Sequence, residues 1–219
     1  MSSQTQISNI VIYGNSPKFI ALIQAIFPEA STTILPWRTP EQDVPSILAR
    51  STMSADLLVV CGYDYDSYHE PENLYLDCNV HRILDVCKMI ATNTTKIIYI
   101  DTLSTNKGRT YSRYLYAKKI LGHKLKIALS QTQILPIPTV FDQQKQIGMQ
   151  GGIISQMAAK ALIHLGIIQT INLRQLQDHI QGAIQNPSKT LDSPPVIQPI
   201  LINIPRPQLI DRALRILLG

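Results

Sequence analysis

The run at residues 55–61 carries Leu57, Leu58, Val59 and Val60 without a polar interruption, and it narrows the fold of this chain more than any other feature. A half-wet antiparallel strand alternates apolar and polar residues, whereas a strand that is apolar throughout has both faces covered, as in a parallel sheet flanked by helices. Residues 9–13, with Ile10, Val11 and Ile12, and residues 96–100, with Ile97, Ile98 and Ile100, are of the same kind. Helical spacing follows the first of them: Phe19, Ile20, Leu22, Ile23 and Ile26 lie on one face of residues 17–27. Residues 32–37 read as a second strand, residues 44–50 as a short helix, residues 74–91 and 111–121 as longer ones. Residues 126–129 and 134–141 read as a further strand and its exit through Pro136 and Pro138. Strand and helix alternate, which predicts an α/β protein with a doubly wound parallel sheet.

Beyond Asp142 the alternation fades. Residues 153–165, 173–184 and 208–218 have helical patterns, but residues 186–207 contain Pro187, Pro194, Pro195, Pro199, Pro205 and Pro207 and hold no helix of any length. The expected division is a core over residues 1–142 and a smaller helical, proline-rich portion over residues 143–219 packed on it. For 219 residues with 45% hydrophobic and 16% charged side chains, one compact domain with such an appendage is the natural size.

The first six residues lack the basic and apolar stretches of a secretory signal, and no apolar run approaches membrane-spanning length. Cys61, Cys78 and Cys87 form no Cys-x-x-Cys pair. A reduced, cytoplasmic protein is expected. The net charge of +5 is unevenly spread. Asp56, Asp64, Asp66, Glu70, Glu72, Asp77 and Asp85 crowd one stretch, whereas residues 102–141 hold no acid but carry Lys107, Arg109, Arg113, Lys118, Lys119, Lys124 and Lys126. Such a block suits an anionic partner such as the phosphates of a nucleotide, or else a solvated basic face. No nucleic-acid-binding motif accompanies it.

Tyr114 and Lys118 lie four apart on one predicted helix and so share a face. A phenol ionises near pH 10, and a neighbouring cation is one way to bring it toward neutrality for proton transfer. The loop Tyr63-Asp64-Tyr65-Asp66-Ser67-Tyr68-His69-Glu70 reads as a polar loop with aromatic anchors; a cation held by its oxygen donors is the alternative. Cys61, at a strand end, reads as packed.

Taken in order, these segments resemble a short-chain dehydrogenase/reductase of the extended, nucleotide-sugar-modifying branch. Strand-Gly14 matches the first Rossmann turn, and Asp56-Leu57-Leu58-Val59-Val60-Cys61-Gly62 resembles the fourth strand, whose end lines the cofactor. Asn79-Val80 followed by Ile83-Leu84-Asp85-Val86-Cys87 resembles the family's Asn-Val helix. Thr102 closes the strand that ends in the catalytic Ser or Thr, and Tyr114 and Lys118 follow at the family's spacing. Leu135-Pro136-Ile137-Pro138-Thr139-Val140-Phe141 resembles the next strand exit. The match covers about residues 9–142. The resemblance implies a Rossmann-like fold with a reduced C-terminal substrate lobe and a catalytic set of Tyr114, Lys118 and Thr102, with Asn79 in support. In such enzymes the tyrosine exchanges a proton with the substrate oxygen while a nicotinamide exchanges hydride, and the lysine lowers the phenol pKa and holds the ribose. The implied cofactor contacts are Gly14, Asn15, Ser16, Pro17, Arg38, Cys61, Gly62, Lys118 and Pro138.

Two departures matter. The family's second and third glycine positions hold Pro17 and Ile20, so only Gly14 survives, with Asn15 or Ser16 left to cap the helix. At the end of the second strand, where a carboxylate takes the ribose hydroxyls, stand Trp37-Arg38-Thr39; Arg38 suits a 2′-phosphate, which favours NADP over NAD. Two functional readings follow. One is a divergent NADP- or NAD-dependent reductase or epimerase acting on a small, sugar-like substrate, free or nucleotide-linked. The other is a pseudo-enzyme of the same fold serving as a ligand-binding or protein-interaction module. A homodimer and a partner protein are both open; a membrane and nucleic acid are not expected.

Overall fold

In the computed structural model, residues 7–49, 54–102, 113–137, 139–142, 145–146 and 170–185 are described. Five strands form one parallel sheet: β1 (Asn9–Tyr13), β2 (Ser31–Leu35), β3 (Leu57–Val60), β4 (Lys96–Thr102) and β5 (Thr132–Ile137). Their spatial order is β2-β1-β3-β4-β5. Helices α1 (Pro17–Ile26), α2 (Val44–Ala49), α3 (Glu72–Leu76), α4 (Arg82–Ile90) and α5 (Arg113–Ala128) lie between them. The doubly wound architecture read from the sequence is the one observed.

The register explains why the strands are apolar throughout. Ile10 pairs with Leu57 and Val11 with Leu58, and so on to Tyr13 with Val60; β3 continues onto β4 with Val60 opposite Tyr99. Side chains alternate between faces, so Val11, Tyr13, Leu58, Val60, Ile97 and Tyr99 enter one core with α2, α4 and α5. Ile10, Ile12, Leu57, Val59, Ile98 and Ile100 enter the opposite core. That second layer is closed by α1 through Leu22 and Ile23, and by α6 (Leu173–Gln185) through Leu176, Ile180, Ala183 and Ile184. Each fully buried Val, Leu or Ile contributes roughly 1.5–3 kcal/mol, and over residues 10–12 in β1 and Leu57–Val60 in β3 neither face offers a polar position to forgo it. Three short strands complete the described residues: β6 (Thr139–Asp142) pairs with β7 (Lys145–Gln146) and with β8 (Thr170–Ile171).

Several expected boundaries move. Lys126, Ile127 and Ala128 belong to α5, not to a strand, because Leu121 and Leu125 continue the helix's buried stripe and the turn to β5 comes only at Leu129–Thr132, where the Thr132 amide donates to the Leu129 carbonyl at 2.9 Å. The expected helix over residues 74–91 is α3 and α4 joined by a π turn at Asp77–His81. The segment that resembles a fourth strand is the third here, since among the described residues no strand lies between β2 and β3 in the chain or outside β2 in the sheet. The helical patterns over residues 153–165 and 208–218 and the proline-rich segment lie outside the described residues.

The charge blocks resolve into local pairings. Asp56 accepts the amides of Ser8 and Asn9 at 2.8 and 2.9 Å, Asp77 pairs with Arg82 and Asp85 with Lys88. Within the basic block, Arg113, Lys118 and Lys126 all donate to backbone carbonyls. Those three cations tie elements together and do not belong to a free anion-binding face.

Candidate active site

The carboxyl end of β4 and the first turns of α5 bring the expected catalytic residues together. Thr102 Oγ1 and Tyr114 Oη are 2.8 Å apart, within hydrogen-bond distance. Lys118, one turn along α5, is buried, and its Nζ donates to the Ile100 carbonyl at 2.7 Å and lies 4.9 Å from the centroid of the Tyr99 ring. Tyr99 Oη in turn donates to the Lys118 carbonyl at 3.0 Å. Gly122 lets α5 settle this close, because a Cβ there would stand 3.1 Å from the Tyr99 ring.

The tyrosine loop covers the pair. Tyr63 meets the Tyr114 ring edge-on at 4.6 Å between centroids, and the Tyr65 ring is nearly parallel to it at 6.2 Å. Arg113 pins the loop by donating to the carbonyls of Tyr68 and Glu70 at 2.6 and 2.8 Å, with its guanidinium over Tyr75. Tyr63 and Tyr75 hydroxyls are hydrogen-bonded to each other. Among the described residues no group of three or more His, Cys, Asp or Glu side chains gathers, and no helix is long and apolar enough to cross a membrane.

Burial dominates the electrostatics. The Tyr114 phenol is pushed above its ordinary range by desolvation first and Tyr65 second, with the Thr102 hydrogen bond pulling the other way. In this arrangement the Lys118 ammonium turns to the Ile100 carbonyl, and burial sets the direction in which the phenol is shifted. Lys118 itself is lowered to about 8 by burial, with Asp101 and Cys61 opposing. Cys61, at the end of β3, is raised to about 12 by burial. It is packed, as its position suggested.

Asn79 anchors the loop and makes its hydrogen bonds there. Its Oδ1 accepts the Asp64 amide at 2.8 Å, while Nδ2 donates to Ser67 Oγ at 2.9 Å and to the carbonyls of Tyr75 and Asp64 at 3.2 and 3.3 Å. Asn79→Ala leaves the buried Asp64 amide unmet and is expected to cost about 2 kcal/mol, read as a lowered urea midpoint. An unchanged midpoint would show that the loop holds without it.

The other end of the site is less hospitable to a dinucleotide than the resemblance implied. Gly14 has φ +154°, and a Cβ on it would lie 2.8 Å from Cys61 Sγ, so glycine is needed for the close approach of β1 to β3. Ser16 is the N-cap of α1 but makes no side-chain cap bond, and Pro17 takes the first helical turn. Asn15, Pro17 and Lys18 are exposed. Ile20 packs partly buried against the second core, which accommodates the missing glycine. Arg38 is clamped by Asp64 and Asp66, so a 2′-phosphate has two carboxylates to displace. A cavity of about 310 Å³ opens beside it, lined by Arg38, Pro40, Glu41, Gln42 and Arg82. Pro138 lies outside the described residues.

Trp37 is the residue that sequence reasoning passed over. It lies 3% exposed between Tyr13 and Gly62. The available signal was a lone large aromatic at the place where a small acid was expected.

No protein-family model and no curated protein sequence matches the chain. Solved structures do. UDP-glucose 4-epimerase from Thermus thermophilus, in complex with NAD, superposes with TM-score 0.57 at 11% identity, covering 80% of this chain and 74% of that one. L-threonine dehydrogenase from Phytophthora infestans gives 0.56 at 12% identity, over 83% and 73%. A short chain dehydrogenase family protein from Francisella tularensis gives 0.53 at 12% identity, over 84% and 93%.

The chain has the Rossmann-like fold of these structures.

Identities this low speak to architecture. Within it, the Rossmann-like sheet sets Thr102, Tyr114 and Lys118 at one strand end, and that juxtaposition is a property of this chain's own residues.

Proposed function

We propose that the protein is a nicotinamide-dependent oxidoreductase or epimerase acting at a hydroxyl or carbonyl carbon of a sugar-like metabolite. The observation that carries the reading is the 2.8 Å pair of hydroxyls, Thr102 and Tyr114, at a strand end with a buried lysine one turn on. The residues present suit the nicotinamide end of a dinucleotide. When bound, it supplies the hydride.

The chain's own groups supply the rest. With its pKa raised, Tyr114 is protonated at neutral pH and serves as the acid that gives its proton to a substrate oxygen, the direction of a reduction. Thr102 orients the same oxygen through its hydroxyl. Lys118 is the group that would hold the nicotinamide ribose, exchanging the Ile100 carbonyl for it. The first turn of α1 contains no acid, which leaves its amides suited to phosphate, although Pro17 removes one donor. Arg38 is the cation at the end of β2 that would take a 2′-phosphate, and NADP is preferred only if Asp64 and Asp66 release it.

A second reading is favoured by Pro17, by the tyrosines packed against Tyr114 and by the inward-turned Lys118: a binding module of the same fold without turnover. The two separate in one assay. Wild-type protein with NADPH or NADH and a panel of keto and hydroxy sugars is expected to change the nicotinamide absorbance, and Tyr114→Phe is not. Equal turnover by both, or by neither, contradicts the catalytic reading.

A further inference from the structure

We infer that Trp37 plugs the slot that the adenosine half of a dinucleotide requires, so that the site favours a nicotinamide mononucleotide and admits the dinucleotide only when the indole swings out. The inference rests on the function proposed above and concerns the end of the site that the catalytic residues do not touch.

In an open α/β sheet, ligands lie beyond the carboxyl ends of the strands where the strand order reverses, here between β1 and β3. The end of β2 is where a dinucleotide's adenosine ribose is held. In this chain the Thr39 amide donates to the Pro36 carbonyl at 3.0 Å, a tight turn that sends Trp37 inward while Arg38 stays exposed. The indole spans the crevice from the end of β2. It lies 5.0 Å from the Tyr13 ring at the end of β1 and against Gly62 just beyond β3, where a Cβ would come within 2.0 Å of its ring. Glycine at position 62 is what makes room for it. Among the described residues no strand lies outside β2, and none of them supplies a further strand end to floor an adenine site on that side.

One observation marks the indole as a movable plug. Its Nε1 is buried and has no hydrogen-bond partner among the described residues, whereas a buried indole N–H normally finds one. On the outer side of the plug, Arg38 is already engaged by Asp64 and Asp66, so a phosphate arriving there must displace a carboxylate to reach it. A ligand that binds only the open form has its affinity reduced by the fraction open. Removing the indole removes that reduction.

Trp37 is the only tryptophan, so the wild-type chain reports on its own plug. Oxidised nicotinamide mononucleotide is expected to bind without moving the emission maximum, and NADP or NAD to bind more weakly per added contact and with a red shift. By calorimetry, Trp37→Ala is expected to bind the dinucleotide at least about tenfold more tightly with mononucleotide affinity unchanged, and Trp37→Phe to fall between. Because Trp37→Ala opens a void, the wild-type emission arm stands without it: dinucleotide binding with no shift overturns the plug. Weaker dinucleotide binding by both variants also overturns it, making Trp37 a stacking surface for adenine and leaving the proposed function intact. Failure of every nicotinamide ligand on wild type and variants removes both.

Discussion

Tyr114→Phe is expected to lower turnover by a factor of about 10² to 10⁴, the usual contribution of a positioned proton donor, with nicotinamide affinity nearly unchanged. The split follows from the geometry. The hydroxyl that is lost bonds to Thr102 and, in the proposed mechanism, to the substrate oxygen, while the ring that stays keeps its contacts with Tyr63 and Tyr65. Steady-state kinetics would show the loss in kcat, with the fold preserved by circular dichroism. Turnover equal to wild type would take Tyr114 out of the mechanism. A loss confined to binding would make it a packing residue.

Lys118→Met is expected to change the pH dependence of stability by about 3 kcal/mol, from a lysine held at about 8 when folded against about 10.4 when unfolded. Below pH 8 both states are protonated, and the folded state bears the constant cost of the buried ammonium. Between pH 8 and about 10.4 the unfolded chain holds the extra proton, so rising pH stabilises the fold. The difference between wild type and variant should therefore shift in favour of wild type across that window. Cys61 and Cys87 act the other way in both proteins: their thiols are raised by burial and stay protonated in the fold when the unfolded thiols ionise, so rising pH costs the fold stability through them. That slope is present in both proteins and largely cancels in the difference. Urea denaturation at pH 7 and pH 10 measures it; a difference independent of pH would mean that Lys118 is hydrated in solution.

The parts of this molecule that were legible in its sequence are those where one-dimensional pattern and three-dimensional constraint coincide. Leu57 to Val60 had to be covered on both faces, and they are. Thr102 and Tyr114 could be paired only through the resemblance to a known family, and their hydroxyls stand 2.8 Å apart. The C-terminal half of α5 was misread because Ile127 and Leu129 mimic strand alternation, and only packing of Leu121 and Leu125 on the sheet decides the matter. Asn79 was placed near the chemistry by the resemblance alone; besides the Tyr75 carbonyl one turn back, its partners come from a loop 12 to 15 residues away that no local pattern specifies. Trp37 was illegible for the same reason. Its burial depends on a turn at Pro36 and on the missing side chain of Gly62, which are brought together only by the sheet.

The proposed chemistry stands or falls on whether a nicotinamide still reaches Thr102, Tyr114 and Lys118. Calorimetric titration of the wild-type protein with nicotinamide mononucleotide, NAD and NADP decides it. Saturable binding of at least one of them by the millimolar range, lost or weakened in Lys118→Met, is expected. No binding of any of the three at millimolar concentration would overturn the proposal.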